Sequence, residues 1–138
     1  MQVTDRAFFN LVVLNAPIAQ LTEAFASLFH PVLAHPTPLI FPRQPYSAEE
    51  DGAPLILWSP LGASKLTACM PHVASGDYFV ASYASERFGF SLVSVRSTAP
   101  DCSNAINEFV VYEGKGTRPR RFVRVMLGEP SWDFYTEG

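Results

Sequence analysis

Cysteine and histidine are scarce in this sequence of 138 residues: two Cys and three His. Two cysteines are too few for a disulfide framework. Cys69 lies in an apolar run, so free thiols in a reducing compartment are the simpler expectation, with a single Cys69–Cys102 bridge left open. The histidines are His30, His35 and His72. Cys69 and His72 have a C-x-x-H spacing, but a zinc site needs a second close pair. Only His30 and His35 remain to supply it, and they sit on a proline-broken segment. No metal site is expected.

Charge is sparse as well. Charged residues are 17% of the chain and the formal net charge is −3. So mild a balance argues against whole-surface nucleic-acid binding. Long apolar runs are missing too. The stretch from Phe8 to Leu14 is interrupted by Asn10 and is far too short to span a membrane. It also lacks a cationic start and a small-residue cleavage site, so no leader is expected. There is no G-x-G-x-x-G, no phosphate-loop motif and no G-x-S-x-G elbow. Gly114-Lys115-Gly116-Thr117 superficially looks like a phosphate loop, but it joins two strand patterns and reads as a hairpin turn.

What is abundant is apolar surface. Hydrophobic residues are 48% of the chain, including eleven Phe. A chain of this length buries roughly two-thirds of its unfolded surface, enough for one core without a disulfide or metal. One domain spanning 1–138 is therefore expected. Six of the twelve prolines fall between Pro31 and Pro54. That stretch reads as a surface excursion at about 31–54, with Leu39-Ile40-Phe41 as a short edge strand.

The periodicity predicts a buried strand over 7–14, closed by Asn15-Ala16-Pro17. A helix follows with Pro17 in its first turn. Ile18, Leu21, Phe25, Leu28 and Phe29 form its apolar stripe, and His30-Pro31 ends it. Strands are predicted at 55–58 and 64–70. A second helix is predicted over about 76–88, capped by Ser75 and stopped at Gly89, with Phe79, Val80, Tyr83, Ala84 and Phe88 on its apolar side. Four strands complete the chain, at 90–97, 108–112, 121–126 and 132–135. Short connections imply antiparallel pairing. The predicted fold is α+β: an antiparallel-rich sheet with two helices packed on one face.

No catalytic residue and no cofactor are assigned. Cys69 sits among Leu66, Ala68 and Met70, the opposite of the electropositive setting that activates a thiol. Two charged regions stand out instead. Lys115, Arg118, Arg120, Arg121 and Arg124 are five of the ten basic residues. Arg120, Phe122, Arg124 and Met126 share one strand face, where Asp133 or Glu108 could pair with the arginines. The alternative is an open anion or acidic-partner site. In the middle of the chain, Glu49, Glu50 and Asp51 form an acidic loop beside Tyr46 that could dock a basic surface. The candidate partner-binding residues are Tyr46, Glu49, Glu50, Asp51, Trp58, Arg118, Arg120 and Arg124, with Tyr46 and Trp58 as aromatic anchors.

From Gly62 onward a pattern runs through Gly62-x-Ser64-Lys65-x-Thr67, Gly76-Asp77-Tyr78, Val95-Arg96-Ser97 and Asn107-Glu108-Phe109. It continues in Arg121-Phe122-Val123-Arg124 and Trp132-Asp133-Phe134-Tyr135-x-x-Gly138. It resembles a group of small bacterial proteins, some of which look like immunity proteins encoded beside polymorphic or secreted toxins. The match covers about the last half of the chain, and members of the group usually continue past the glycine matched by Gly138. The resemblance transfers no catalytic motif. It implies a cytoplasmic, non-enzymatic protein that neutralises a cognate toxin or secretion-system effector by direct contact. Two other readings stay open: an enzyme that binds a small molecule or nucleotide on the Arg-rich sheet face, and a self-associating structural or adaptor module. A homodimer is left open and nucleic acid is disfavoured.

Overall fold

The structure is a computed structural model that describes residues 8–28, 56–60, 62–70, 79–98, 105–115, 118–128 and 131–138. Its elements run β1 (Phe8–Leu14), α1 (Ile18–Leu28), β2 (Ile56–Trp58), β3 (Thr67–Met70), α2 (Phe79–Phe88), β4 (Leu92–Thr98), β5 (Ile106–Tyr112), β6 (Arg121–Leu127) and β7 (Trp132–Glu137). The strands form one seven-stranded sheet in the order β2-β3-β1-β4-β5-β6-β7. Every neighbouring pair is antiparallel. The class is α+β, as the periodicity predicts. The expected excursion at 31–54, with its edge strand at 39–41, lies outside the described residues.

The first strand ends up near the middle of the sheet because two later strands flank it. Val12 pairs with Cys69 on one side and Ser94 on the other, and Leu14 with Thr67 and Leu92. Alternation then sends Val12, Leu14, Cys69 and Leu92 to one face. Leu21, Ala24 and Phe25 of α1 and Ala81 and Ala84 of α2 meet them there in a single buried cluster. Both helices thus cover the same face of the sheet, over β3, β1 and β4. Each fully buried Val or Leu in that cluster contributes about 1.5–3 kcal/mol. A buried hydrogen bond from Thr67 Oγ1 to Ala16 O (2.7 Å) joins β3 to the start of α1.

Three details differ from the sequence reading. The predicted strand at 64–70 starts only at Thr67, because residues 63–66 close a turn in which Leu66 N–H donates to Ala63 O (2.9 Å). Helix α2 does not pack through its large residues. Tyr83 and Phe88 are exposed, while Ala81, Ala84 and Ser85 are buried. Those three positions recur at helical spacing, so the helix meets the core through small side chains. Ile18, expected in the apolar stripe of α1, is also exposed, at the helix's first turn. Gly89 ends α2 with φ +77° and its N–H on Ser85 O (2.8 Å), as the sequence predicts for a residue just past a helix. Gly114 is required for another reason: a Cβ there would overlap the Gly89 carbonyl oxygen.

Cys69 is buried and free in the central core, and Cys102 lies outside the described residues. Burial pushes the Cys69 thiol up to about 12. It is therefore protonated at neutral pH and shielded from reagents. Iodoacetamide at pH 8 is expected to leave Cys69 unmodified in the folded protein and to modify it in urea. Peptide mass spectrometry reads the difference, and rapid alkylation of folded protein at Cys69 would show the core to be open.

Candidate functional site

The helices leave the β5–β7 end of their face uncovered. There the sheet carries a polar row running across five strands. Register places Asn10 opposite Arg96, Arg96 opposite Glu108, Glu108 opposite Arg124, and Arg124 opposite Tyr135. The row is buried at the β1 end and open at the β7 end.

Glu108 is its pivot. Its side chain is 1% exposed. Oε2 accepts from Arg124 Nε (2.7 Å) and from Arg96 Nη2 (3.5 Å), and Arg124 Nη2 is ion-paired with the same oxygen. Two guanidinium groups thus share one buried carboxylate. The Arg96 and Arg124 side chains are 18% and 34% exposed, so both charges keep some access to water. Glu108 Oε1 has no hydrogen-bond partner among the described residues. The triad carries one net positive charge.

Outward from the triad the face becomes a groove. Pro119, Phe122, Arg124, Met126, Tyr135 and Glu137 line it as a shallow, solvent-open trough of about 530 Å³. The Arg124 guanidinium carbon lies 4.7 Å from the Phe122 ring centre. This contact and the Glu108 bonds fix the arginine's plane. Phe122 meets Tyr135 edge-on at 5.5 Å. Tyr135 donates to Glu137 (3.1 Å), and this bond and the carboxylate's charge push the phenol above its usual range. The groove floor is therefore apolar and aromatic, with one cation and one anion at its margins.

The candidate residues from the sequence do not come together. Tyr46, Glu49, Glu50 and Asp51 lie outside the described residues. Trp58 is half-buried on β2, at the opposite edge of the sheet. Its register with Ala68 also puts it on the face away from the helices. Arg118 is exposed before β6. Arg120 pairs with Glu113 on the surface. Arg124 alone belongs to the groove. Sequence reasoning named Glu108 as a partner for Arg124, and register bears that out. It missed Arg96, Tyr135 and Glu137. Arg96 carries the right alternation within β4, but its apposition to Glu108 depends on a strand register that alternation does not set.

Among the described residues, no three His, Cys, Asp or Glu side chains converge as metal ligands. No helix there is long and apolar enough to cross a membrane. In comparisons with known proteins, the chain matches no family model, no curated protein and no solved structure.

Proposed function

We propose that this chain acts by binding another protein, as an immunity-type inhibitor of a toxin in the bacterial cytoplasm, and that the groove over β6 and β7 takes the partner. The observation behind this reading is the groove itself. It combines aromatic rings, a methionine and a guanidinium held rigidly from below, the side chains that dominate protein interfaces. Arg-Phe-Val-Arg and Trp-x-Phe-x-x-x-Gly, the elements of the resemblance that are distinctive together, run along β6 and β7, the strands that carry the groove. A rigid arginine over an apolar floor favours contact with a partner's carboxylate beside an apolar side chain.

Co-expression with the product of the adjacent gene tests the reading. The two proteins are expected to co-purify, and toxicity of the partner to be relieved. Tyr135→Ala is expected to weaken the complex by about 2 kcal/mol, roughly thirtyfold in Kd, read by calorimetry. Failure to co-purify, with toxicity unrelieved, sinks the inhibitor reading. Undiminished binding by Tyr135→Ala moves the interface away from the groove.

A further inference from the structure

Strand β7 is the outermost strand of the sheet among the described residues. It is exposed along its whole length. Trp132, Phe134 and Tyr135 are 49%, 68% and 55% exposed. An edge strand offers a row of backbone donors and acceptors to any strand that can lie beside it. Gly128 N–H donates to Ser131 O (2.8 Å), so that pair is hydrogen-bonded across the β6–β7 hairpin. Antiparallel ladders alternate, so Asp133, Tyr135 and Glu137 bond inward to Met126, Arg124 and Phe122. On the other side of β6, Leu127 N–H donates to Ala105 O (2.8 Å), which agrees with that phase. Trp132, Phe134 and Thr136 therefore turn their backbone N–H and C=O groups to the edge that no described strand pairs with.

We propose that this edge pairs with the β7 edge of a second copy of the chain, antiparallel about a two-fold axis at Phe134. The side chains select this register. Two like strands related by a two-fold axis perpendicular to the sheet keep their faces in common, so permitted registers differ by steps of two residues. Centring on Tyr135 sets Asp133 against the second copy's Glu137, twice. Centring on Asp133 sets the two aspartates against each other. Like charges directly opposite are destabilising. Centring on Trp132 or Thr136 leaves half or more of β7 beyond the end of the other strand, and centring on Phe134 avoids all of these faults. It places Phe134 against Phe134, Trp132 against Thr136, and Asp133 against Tyr135, so no two like charges face each other. The outward N–H groups of Trp132, Phe134 and Thr136 then each meet an outward carbonyl. The most exposed apolar side chain of the strand comes to lie on the axis, against its own copy. The contact is small by the standard of permanent dimers, so the association is concentration-dependent. Its central residue, Phe134, lies on the face of the sheet away from the groove, whereas Tyr135, opposite Asp133 of the second copy, also lines the groove.

Sedimentation velocity of the full chain from about 1 to 200 µM tests this, a range suited to an interface of such size. The mass is expected to rise from one chain (15.2 kDa) to two. Phe134→Asp puts two carboxylates on the axis, and Phe134→Pro removes an N–H that faces outward and leaves the β6–β7 ladder intact. Either is expected to weaken the dimer about tenfold or more. Circular dichroism verifies that each variant is folded, and Phe134→Asp serves alone if the proline variant is not. A wild-type chain that stays single at the highest concentration overturns the proposal. So does a species larger than two, since two-fold pairing closes, and so does a Phe134→Asp variant that dimerises like wild type.

Discussion

Glu108→Gln is expected to lower the stability of the fold by about 3 kcal/mol, the lower end of what breaking a buried ion pair from one side produces. The direction follows from what remains. Arg96 and Arg124 keep their positive charges, and both lose the carboxylate that they share. A neutral amide offers one acceptor in place of a charge. Its NH₂ group would also point two donors into a site already full of them. The effect stays at the lower end because the arginine side chains are 18% and 34% exposed, and water screens part of the repulsion. Urea unfolding at pH 7 measures it, and the thermal midpoint should fall by about 10 °C for a chain of this size. Replacing all three members, as Arg96→Met, Glu108→Leu and Arg124→Met together, is expected to recover most of the loss, because no charge is then left without its counter-ion. A single variant within about 0.5 kcal/mol of wild type, the scatter of ordinary surface changes, would show that Glu108 does not hold the arginines together.

The triad also shows what a sequence discloses and what it withholds. Strands β1, β5, β6 and β7 are legible because each is a short apolar or alternating run between turn residues, and both helices because their apolar positions recur at helical spacing. The face shared by Phe122, Arg124 and Met126 follows from alternation alone, and the groove confirms it. What alternation cannot supply is the identity of cross-strand neighbours. Arg96 and Glu108 are 12 residues apart and meet only because β4 and β5 pair in one particular register. Tyr135 and Glu137 enter the site through the next register, set by the hairpin after Gly128. The sequence was misleading where apolar size outweighed geometry. Tyr83 and Phe88 looked like the buried side of α2, yet the helix buries Ala81, Ala84 and Ser85 and leaves these two rings exposed. Trp58 invited an interface role by its chemistry, and the sheet order carries it to the far edge from Arg124.

Leu14→Ala is expected to destabilise the protein by about 3–4 kcal/mol, within the range that large-to-small changes in a packed core produce. Leu14 is fully buried and lies between Leu92 and Thr67 in the ladder, beneath the helices. The buried cluster that holds it draws on β1, β3, β4 and both helices, so no single movement closes the space a truncated side chain leaves. Thr67 is held by its hydrogen bond to Ala16, which resists collapse from that side. The cavity cost therefore adds to the lost burial instead of relaxing away. The urea midpoint should fall with the slope unchanged, because the surface exposed on unfolding is nearly the same. Phe134→Ala is the internal comparison. It removes a larger side chain, but one that is 68% exposed. At concentrations where the chain is single, its effect on stability should stay within about 0.5 kcal/mol. If Leu14→Ala proves equally mild, the centre of the sheet is not the core that the register and burial describe.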